Sequence, residues 1–229
     1  MDEKDSKKLI KQQFYQYQKS WRNSFINGLS VDENNQPIPW FSYKAIDFIK
    51  NFIQKNHRIC EYGCGSSTLF FSQRAKYLVG LETNPIWLKI IEQKIIEEDF
   101  KYDQKLQSLQ LNNAPKLVEK FYKNFFRNSQ QINLYLNENA MQDDDYQNFC
   151  NYFLEKFDII IIDSKKRFSC AKQAVQGLKS DGIIILDDSQ RSNYQKVFQY
   201  FEQLNFKKID FLGIAPGQLS LKNTTIFYK

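Results

Sequence analysis

The chain has 229 residues and a formal net charge of +6, with 42% hydrophobic and 25% charged residues. These values are ordinary for one globular domain with a full-sized core. No apolar run reaches the roughly 20 residues of a membrane helix, and the charged N-terminus lacks the apolar stretch of a secretory signal. We therefore expect a cytoplasmic protein without membrane contact, and the net charge permits but does not require a nucleic-acid partner.

The chain contains four cysteines, Cys60, Cys64, Cys150 and Cys170. Thiols stay reduced in the cytoplasm, so we expect these cysteines to be free. Their spacing lacks the two close cysteine pairs of a typical zinc site, which argues against a metal–thiolate centre.

The first part of the chain is predicted to be helical. Residues 1–38 form an N-terminal extension or lid, in which residues 8–26 carry apolar side chains at helical spacing. Turn-forming residues and two prolines interrupt this pattern over residues 30–39. A second amphipathic helix is predicted over residues 39–53. The aromatic residues of the extension fit helix packing or a homodimer contact better than stacking on nucleic-acid bases.

Strand-like and helix-like segments alternate from Arg58 to the end of the chain. Strands are predicted at residues 58–63, 77–82, 132–138, 157–163, 182–188, 206–213 and 223–229. Helices are predicted at residues 66–75, 83–99, 170–182 and 193–205, and a further helix, 114–126, lies in an insert over 100–131. This alternation predicts an α/β domain over residues 39–229, with a Rossmann-like, doubly wound, mainly parallel seven-stranded sheet. The segment between the last two strands is too short for a crossover helix, so the C-terminal strand should be antiparallel.

The stretch EYGCGSST, residues 61–68, follows the first strand and contains two glycines two positions apart. Ligands bind beyond the carboxyl ends of parallel strands, so this turn is the expected binding site. A dinucleotide does not fit the pattern, because Thr68 stands where a third glycine is required, and the lysine of a phosphate-binding loop is missing. The acidic strand ends suit ribose hydroxyls and a positive charge, with Glu82 as the ribose ligand. The same turn could also be only a tight connection.

The stretch EYGCGSST and the following VGLE resemble motif I and the ribose-binding acid of class I S-adenosylmethionine-dependent methyltransferases. From about residue 39 onward, the chain is similar to a group of small, poorly characterised bacterial methyltransferases. The resemblance implies S-adenosylmethionine as cofactor, bound by Glu61, Tyr62, Gly63, Gly65, Ser66, Ser67, Thr68, Glu82, Thr83 and Trp87, with Trp40 and Tyr43 as a lid. Glu61 would contact the cofactor ammonium, and Thr83 and Trp87 the adenine. The acidic adenine contact stays open among Glu138, Asn139 and Asp143.

The acids at the ends of the fourth and fifth strands are the candidates for chemistry. A base there could expose the nucleophilic form of an acceptor, and Asp163 and Asp188 are the predicted catalytic residues. Catechol O-methyltransferase-like enzymes hold a magnesium ion with an Asp and an Asp–Asn pair at these places, whereas this chain has Asp187–Asp188 as the pair. We expect no metal, with Mg²⁺ as the alternative. Residues 165–167 (KKR) could attract an anionic acceptor or simply face water.

The expected function is methylation of a small-molecule acceptor, with oxygen as the favoured atom. Methylation of RNA or protein is an alternative, although the fourth strand ends in DSKK instead of the [DN]-P-P-[YFW] motif of amino-methylating nucleic-acid enzymes. A cofactor-binding scaffold protein without turnover is a further alternative. The single histidine, His57, precedes the first strand and is expected to be structural, because it lies at the opposite edge of the sheet from the site.

Overall fold

The computed structural model describes residues 2–98, 101–103, 122–127, 129–138, 140–141 and 146–229. Its strands are β1 Arg58–Tyr62, β2 Tyr77–Glu82, β3 Lys101–Asp103, β4 Tyr122–Arg127, β5 Gln130–Leu136, β6 Phe157–Ile162, β7 Leu178–Leu186, β8 Lys207–Ala215 and β9 Gln218–Tyr228. In the described part of the chain they form one sheet of order β3-β4-β5-β2-β1-β6-β7-β9-β8. The five strands β5-β2-β1-β6-β7, in their order across the sheet, are parallel to one another, whereas β9 is antiparallel to both β7 and β8. The predicted fold class is confirmed.

All seven predicted strands are present, and they occupy consecutive places in the sheet from β5 to β8. Two further strands, β3 and β4, extend the sheet beyond β5 and were not predicted. The helix prediction over 114–126 is wrong for residues 122–126, which belong to β4 and pair with β5. Phe125 lies opposite Ile132 and is buried with it, so core packing favours the strand there. Residues 114–121 lie outside the described part of the chain.

The helices are α1 Glu3–Asn27, α2 Tyr43–Phe52, α3 Ser66–Ser72, α4 Pro85–Glu97, α5 Arg167–Gly177 and α6 Gln195–Gln203, with 3-10 turns at Tyr146–Tyr152 and Ser192–Tyr194. Helix α4 begins at Pro85, two residues after the predicted start, because the Asn84 side chain caps it by accepting hydrogen bonds from Ile86 N and Trp87 N. The helix predicted over 170–182 ends earlier, at Gly177, since Leu178 already pairs with Phe157 in the sheet. None of the described helices has both the length and the apolar content that a membrane crossing requires.

The core consists of two apolar layers, one on each face of the sheet. Ile159 and Ile161 point into the layer covered by α2, α3 and α4. Ile160 and Ile162 point into the other layer, under α5 and α6. Because alternate residues of a strand face opposite sides, a stretch of strand covered on both faces is apolar at successive positions. This requirement explains the four consecutive isoleucines, residues 159–162, in β6.

The N-terminal extension packs against the last two strands. The Gln13 side chain reaches the bulge in β8, where its Oε1 accepts a hydrogen bond from Ile214 N at 2.9 Å and its Nε2 donates to Leu212 O at 3.4 Å. Tyr17 stacks on Tyr43, with the ring centroids 4.2 Å apart. Helix α1 is therefore part of the domain core.

We expect Gln13→Ala to lower the free energy of unfolding by about 1–3 kcal/mol, because the buried Ile214 N–H loses its acceptor. Urea unfolding followed by circular dichroism measures this change. The matched control is Gln12→Ala, since Gln12 is the exposed neighbour on the same helix. An equal effect of both substitutions would show that the bond to β8 is not what matters.

Candidate active site

A cavity of about 760 Å³ opens at the carboxyl ends of β1, β2 and β6. One side is lined by Gly63, Cys64, Gly65, Ser66, Ser67, Glu82, Thr83 and Trp87. The other side is lined by Trp40, Met141, residues 163–169, Arg191, Asn193 and Tyr194. The cavity lies where ligands bind in open α/β sheets, at the point where the strand order reverses between β1 and β6. It is therefore the candidate active site.

The turn after β1 brings the backbone to the cavity wall. Gly63 has φ +95°, and a Cβ at this position would lie 2.4 Å from the carbonyl oxygen of Asp163. Only glycine fits such a backbone conformation beside a neighbouring strand. Gly65 differs, because its φ is −178° and the nearest atom to a built Cβ is 3.8 Å away. A side chain at position 65 would therefore make ordinary contact with Trp87 and Ser67 without a clash, and glycine leaves the backbone bare at this cavity wall.

Glu61 lies directly beneath this turn and is fully buried. Ser67 Oγ donates a hydrogen bond to Glu61 Oε1, and Thr68 Oγ1 donates to Oε2 at 2.6 Å. Burial raises the pKa of Glu61 to about 8, although the two hydroxyl donors oppose this shift. Ser67 lines the cavity and Glu61 does not, so Glu61 reaches a ligand there only through Ser67.

Glu82 ends β2 and organises the second turn of the site. Its Oε1 accepts hydrogen bonds from Thr83 N at 2.7 Å and Asn84 N at 2.9 Å, and its Oε2 accepts one from Cys64 N at 2.9 Å. Oε1 also accepts a hydrogen bond from Thr83 Oγ1 at 3.3 Å, so Oε2 is the oxygen with capacity for a further hydrogen bond. The Trp87 indole lies beside this acid, fixed by a 2.7 Å hydrogen bond to Cys64 O. Together, these groups form a wall with acceptor oxygens and one aromatic ring.

Trp40 is held at the opposite side of the cavity by the C-terminal hairpin. Its Nε1 donates a 2.8 Å hydrogen bond to Pro216 O, and its carbonyl oxygen accepts one from Lys222 Nζ at 2.7 Å. Pro216 and Gly217 form the tight turn of that hairpin. Trp40 is therefore held both at its indole nitrogen and at its backbone carbonyl.

An acid cluster with cationic partners lies behind the far wall of the cavity. Asp163, Asp187 and Asp188 offer carboxylate oxygens within 4.8 Å of one another. Arg167 Nη2 is 2.5 Å from Asp163 Oδ1, and Lys222 Nζ is 2.5 Å from Asp187 Oδ2. Burial and the nearby Asp187 carboxylate raise the pKa of Asp163, against the pull of Arg167 and Lys222. Asp163 lines the cavity, so it is a base candidate with ligand access.

Several predicted site residues do not reach the cavity. The Tyr62 side chain points into the core layer under α5 and α6, where its hydroxyl donates a hydrogen bond to Gln147 O. Tyr43 is buried against α1, so it is not part of a lid. Thr68 is fully buried and binds Glu61, and Asp188 pairs with Arg191 and Lys222 behind the wall. The extension over 1–38 contributes no residue to the cavity wall, among the described residues.

Of the residues considered for the adenine contact, Glu138 is exposed and does not line the cavity, whereas Asn139 and Asp143 lie outside the described part of the chain. His57 is buried at the opposite edge of the sheet, where its Nδ1 accepts from Gln54 N at 3.3 Å. Burial lowers its pKa, in keeping with a structural residue.

Lys222 and Arg191 belong to the site and were not predicted from the sequence. The register of β9 explains the position of Lys222, because Thr225 pairs with Leu186 and Thr224 Oγ1 then donates to Asp187 Oδ1 at 2.8 Å. The sequence does predict that the antiparallel last strand begins beside the acids and passes close to them. Which of its residues meets the acids depends on the exact register of the strand, which the sequence pattern does not supply.

No protein-family model matches this chain, and no curated protein sequence matches it either. Solved structures do match. A provisionally assigned caffeoyl-CoA O-methyltransferase from Staphylococcus aureus is 16% identical, with a TM-score of 0.53 over 98% of this chain and 99% of that chain. A provisionally assigned methyltransferase from Streptococcus mutans, in complex with SAH, is 14% identical, with a TM-score of 0.51 over 81% of this chain and 96% of that chain. An rRNA methylase from Streptococcus thermophilus is 12% identical, with a TM-score of 0.51 over 80% and 92%. These likenesses show that the chain has the class I methyltransferase fold.

Glu61 should make the protein less stable as the pH rises from about 4.5 to about 8. In this window the folded protein holds a proton that the unfolded chain releases, so a higher pH favours unfolding by up to about 1.4 kcal/mol per pH unit. Glu61→Gln should remove this part of the pH dependence, as measured by urea unfolding at pH 5 and pH 8. Glu202→Gln, at an exposed carboxylate, is the control. If Glu61→Gln keeps the wild-type pH dependence, Glu61 is not protonated in the folded protein.

Proposed function

We propose that this protein is an S-adenosylmethionine-dependent methyltransferase that transfers a methyl group to oxygen on a small-molecule acceptor. The observation that carries this proposal is that the bare backbone at Gly65 and the Glu82 carboxylate line one cavity at the carboxyl ends of adjacent strands. The class I methyltransferase fold of the solved neighbours supports it, including the neighbour that holds SAH.

The residues at the cavity fit this cofactor. The space at Gly65 admits a ligand against bare backbone, and the hydroxyls of Ser66 and Ser67 line the same wall, where they suit the amino-acid end of the cofactor. Glu82 Oε2 accepts one protein hydrogen bond and has capacity for a ribose hydroxyl. The Trp87 ring suits the flat adenine.

When bound, this cofactor supplies a methyl group on a positively charged sulfur, which leaves as a neutral thioether. The protein must then hold an acceptor oxygen in line with that methyl group and accept the proton of the hydroxyl. Asp163 is the residue we assign to the proton, because it lines the cavity and its raised pKa suits a base near neutral pH. Arg167 holds the Asp163 carboxylate in position through a 2.5 Å ion pair.

The size and walls of the cavity support a small acceptor. A volume of about 760 Å³ is within the range of roughly 300–1,000 Å³ for small-molecule sites. The similarity to an rRNA methylase concerns the fold and leaves the RNA alternative without a site-level observation in its favour. The presence of Asp163 at the cavity favours catalysis over a scaffold role.

The acceptor side of the cavity favours an anionic compound. Lys165 and Lys166 line this side, and Arg191 adds a third cationic side chain to the wall. Phe168 supplies an aromatic surface beside them. Cationic groups at a cavity mouth raise the local concentration of anions and orient them. We therefore expect an acceptor hydroxyl on a molecule that also carries a carboxylate or phosphate.

Calorimetric titration should show micromolar binding of S-adenosylmethionine and of its demethylated product, and no binding of NAD. Gly65→Ala should weaken this binding at least tenfold, equivalent to about 1.4 kcal/mol, without lowering stability, because its methyl group fills the cofactor space. Gly28→Ala is the opposite control. Its φ is +64°, far from the cavity, so it should cost stability and leave affinity unchanged. Absence of binding to the wild type would exclude the proposed cofactor.

Pairs of hydroxyl acceptors that differ only in a carboxylate or phosphate group test the acceptor class. We expect kcat/KM to be at least tenfold higher for the anionic member, and Lys165→Ala to reduce this preference by raising KM. Lys196→Ala, at an exposed lysine of α6, should change nothing. Equal rates for both members of each pair would contradict the anionic acceptor and leave the cofactor assignment intact.

A further inference from the structure

The acid cluster behind the cavity has the ligand atoms of a divalent cation site. Asp163, Asp187 and Asp188 bring three carboxylates within 4.8 Å, and Mg²⁺ prefers such oxygen ligands. Catechol O-methyltransferase-like enzymes hold a magnesium ion at these places, with an Asp–Asn pair where this chain has Asp187–Asp188. Whether an ion fits depends on which positive charges the protein already places among these oxygens.

Lys222 already occupies the centre of the cluster. Its ammonium lies 2.5 Å from Asp187 Oδ2, 3.3 Å from Asp188 Oδ1 and 2.7 Å from Trp40 O. The ammonium donates a hydrogen bond to Trp40 O and forms ion pairs with the two carboxylates. The side chain is only 10% exposed, which leaves it little freedom to move aside. Burial lowers the pKa of Lys222, but the surrounding carboxylates outweigh this effect and raise it, so the side chain stays charged.

Arg167 occupies the other side of the cluster. Its Nη2 lies 2.5 Å from Asp163 Oδ1 and 3.9 Å from Asp188 Oδ2, and its Nη1 donates to the carbonyl oxygen of Asp187. Arg191 pairs with Asp188 as well. The three carboxylates therefore face three cationic side chains, and their charges balance without an added ion.

A magnesium ion does not fit this arrangement. The ion binds oxygen at about 2.1 Å, so a site on Asp187 Oδ2 would place two positive charges beside an ammonium that is 2.5 Å from the same oxygen. Like charges at such a distance repel strongly in a site with little water. Binding would require the Lys222 side chain to give up its ion pairs with Asp187 and Asp188 and its hydrogen bond to Trp40 O.

We infer that Lys222 is a built-in cation that takes the place of a divalent metal ion in this acid cluster. The same ammonium donates a hydrogen bond to the carbonyl oxygen of Trp40, so the cation that neutralises the acids also holds a residue of the cavity wall in place. An acceptor would then need no pair of neighbouring hydroxyls to chelate an ion. This role of Lys222 does not depend on the proposed methyl transfer, because it is tested by measuring ion binding.

The experiment is a titration with Mn²⁺, followed by the loss of the electron paramagnetic resonance signal of the free ion. The wild type should bind no stoichiometric Mn²⁺ at millimolar concentration. Lys222→Ala should create a site, with affinity at least tenfold above the wild type, because it leaves an acid-rich gap. Lys179→Ala is the matched control, since Lys179 forms a similar 2.8 Å pair with Asp158, at the other end of β6.

Stoichiometric binding to the wild type that disappears in Asp187→Asn would overturn the inference, as would a folded Lys222→Ala variant that gains no affinity. Lys222→Met, which keeps the length of the side chain, replaces Lys222→Ala if the latter does not fold. A variant that unfolds without Mn²⁺ and is stabilised by it supports the inference. If both variants stay unfolded, the Mn²⁺ titration of the wild type decides. Absence of stoichiometric binding supports the inference, and stoichiometric binding that is lost in Asp187→Asn overturns it.

Discussion

The buried carboxylate of Asp187 is the constraint on which the site depends. It ends β7 inside the protein, fully buried, so it requires a cation and a hydrogen-bond donor. β9 supplies both, through Lys222 and Thr224. This requirement fixes the register of the last strand beside β7, and Lys222 in turn fixes Trp40 at the cavity. A single buried charge thus determines where the acceptor side of the site lies.

The two sides of the cavity are built by different forces. The Gly63–Gly65 turn and the Glu82 carboxylate are held by backbone hydrogen bonds, which are insensitive to salt. The opposite side is held by ion pairs that reach from buried Asp187 to half-exposed Arg191. Interactions of the latter kind weaken with salt where they meet water. Salt should therefore loosen the Arg191 side of the cavity before it affects the Gly63–Gly65 turn.

Much of the fold follows from local patterns in the sequence. The run FDIIII and the alternation of strands with helices required a sheet covered on both faces, and the short final connection required an antiparallel end. Strand β4 was missed, because a segment with residues such as Lys123 and Phe126 satisfies helical spacing as well as strand spacing, and only its pairing with β5 decides. In the site, the glycines and Glu82 were recognisable from their spacing. The position of Lys222 depends on the register of β9, and the direction of the Tyr62 side chain depends on the face of the sheet to which that strand residue points. Local sequence patterns determine neither of them.

The hydrogen bond from the Trp40 indole to Pro216 joins positions that are 176 residues apart in the chain. Trp40 precedes the first strand, and Pro216 lies in the last hairpin. During synthesis the N-terminal part is made first, so the central parallel strands can pair before this contact exists. Such a distant contact carries a large loop-closure cost and forms late. The cavity is therefore completed only after the C-terminal hairpin has left the ribosome, and an incomplete chain would carry the Gly63–Gly65 turn and Glu82 without a fixed Trp40.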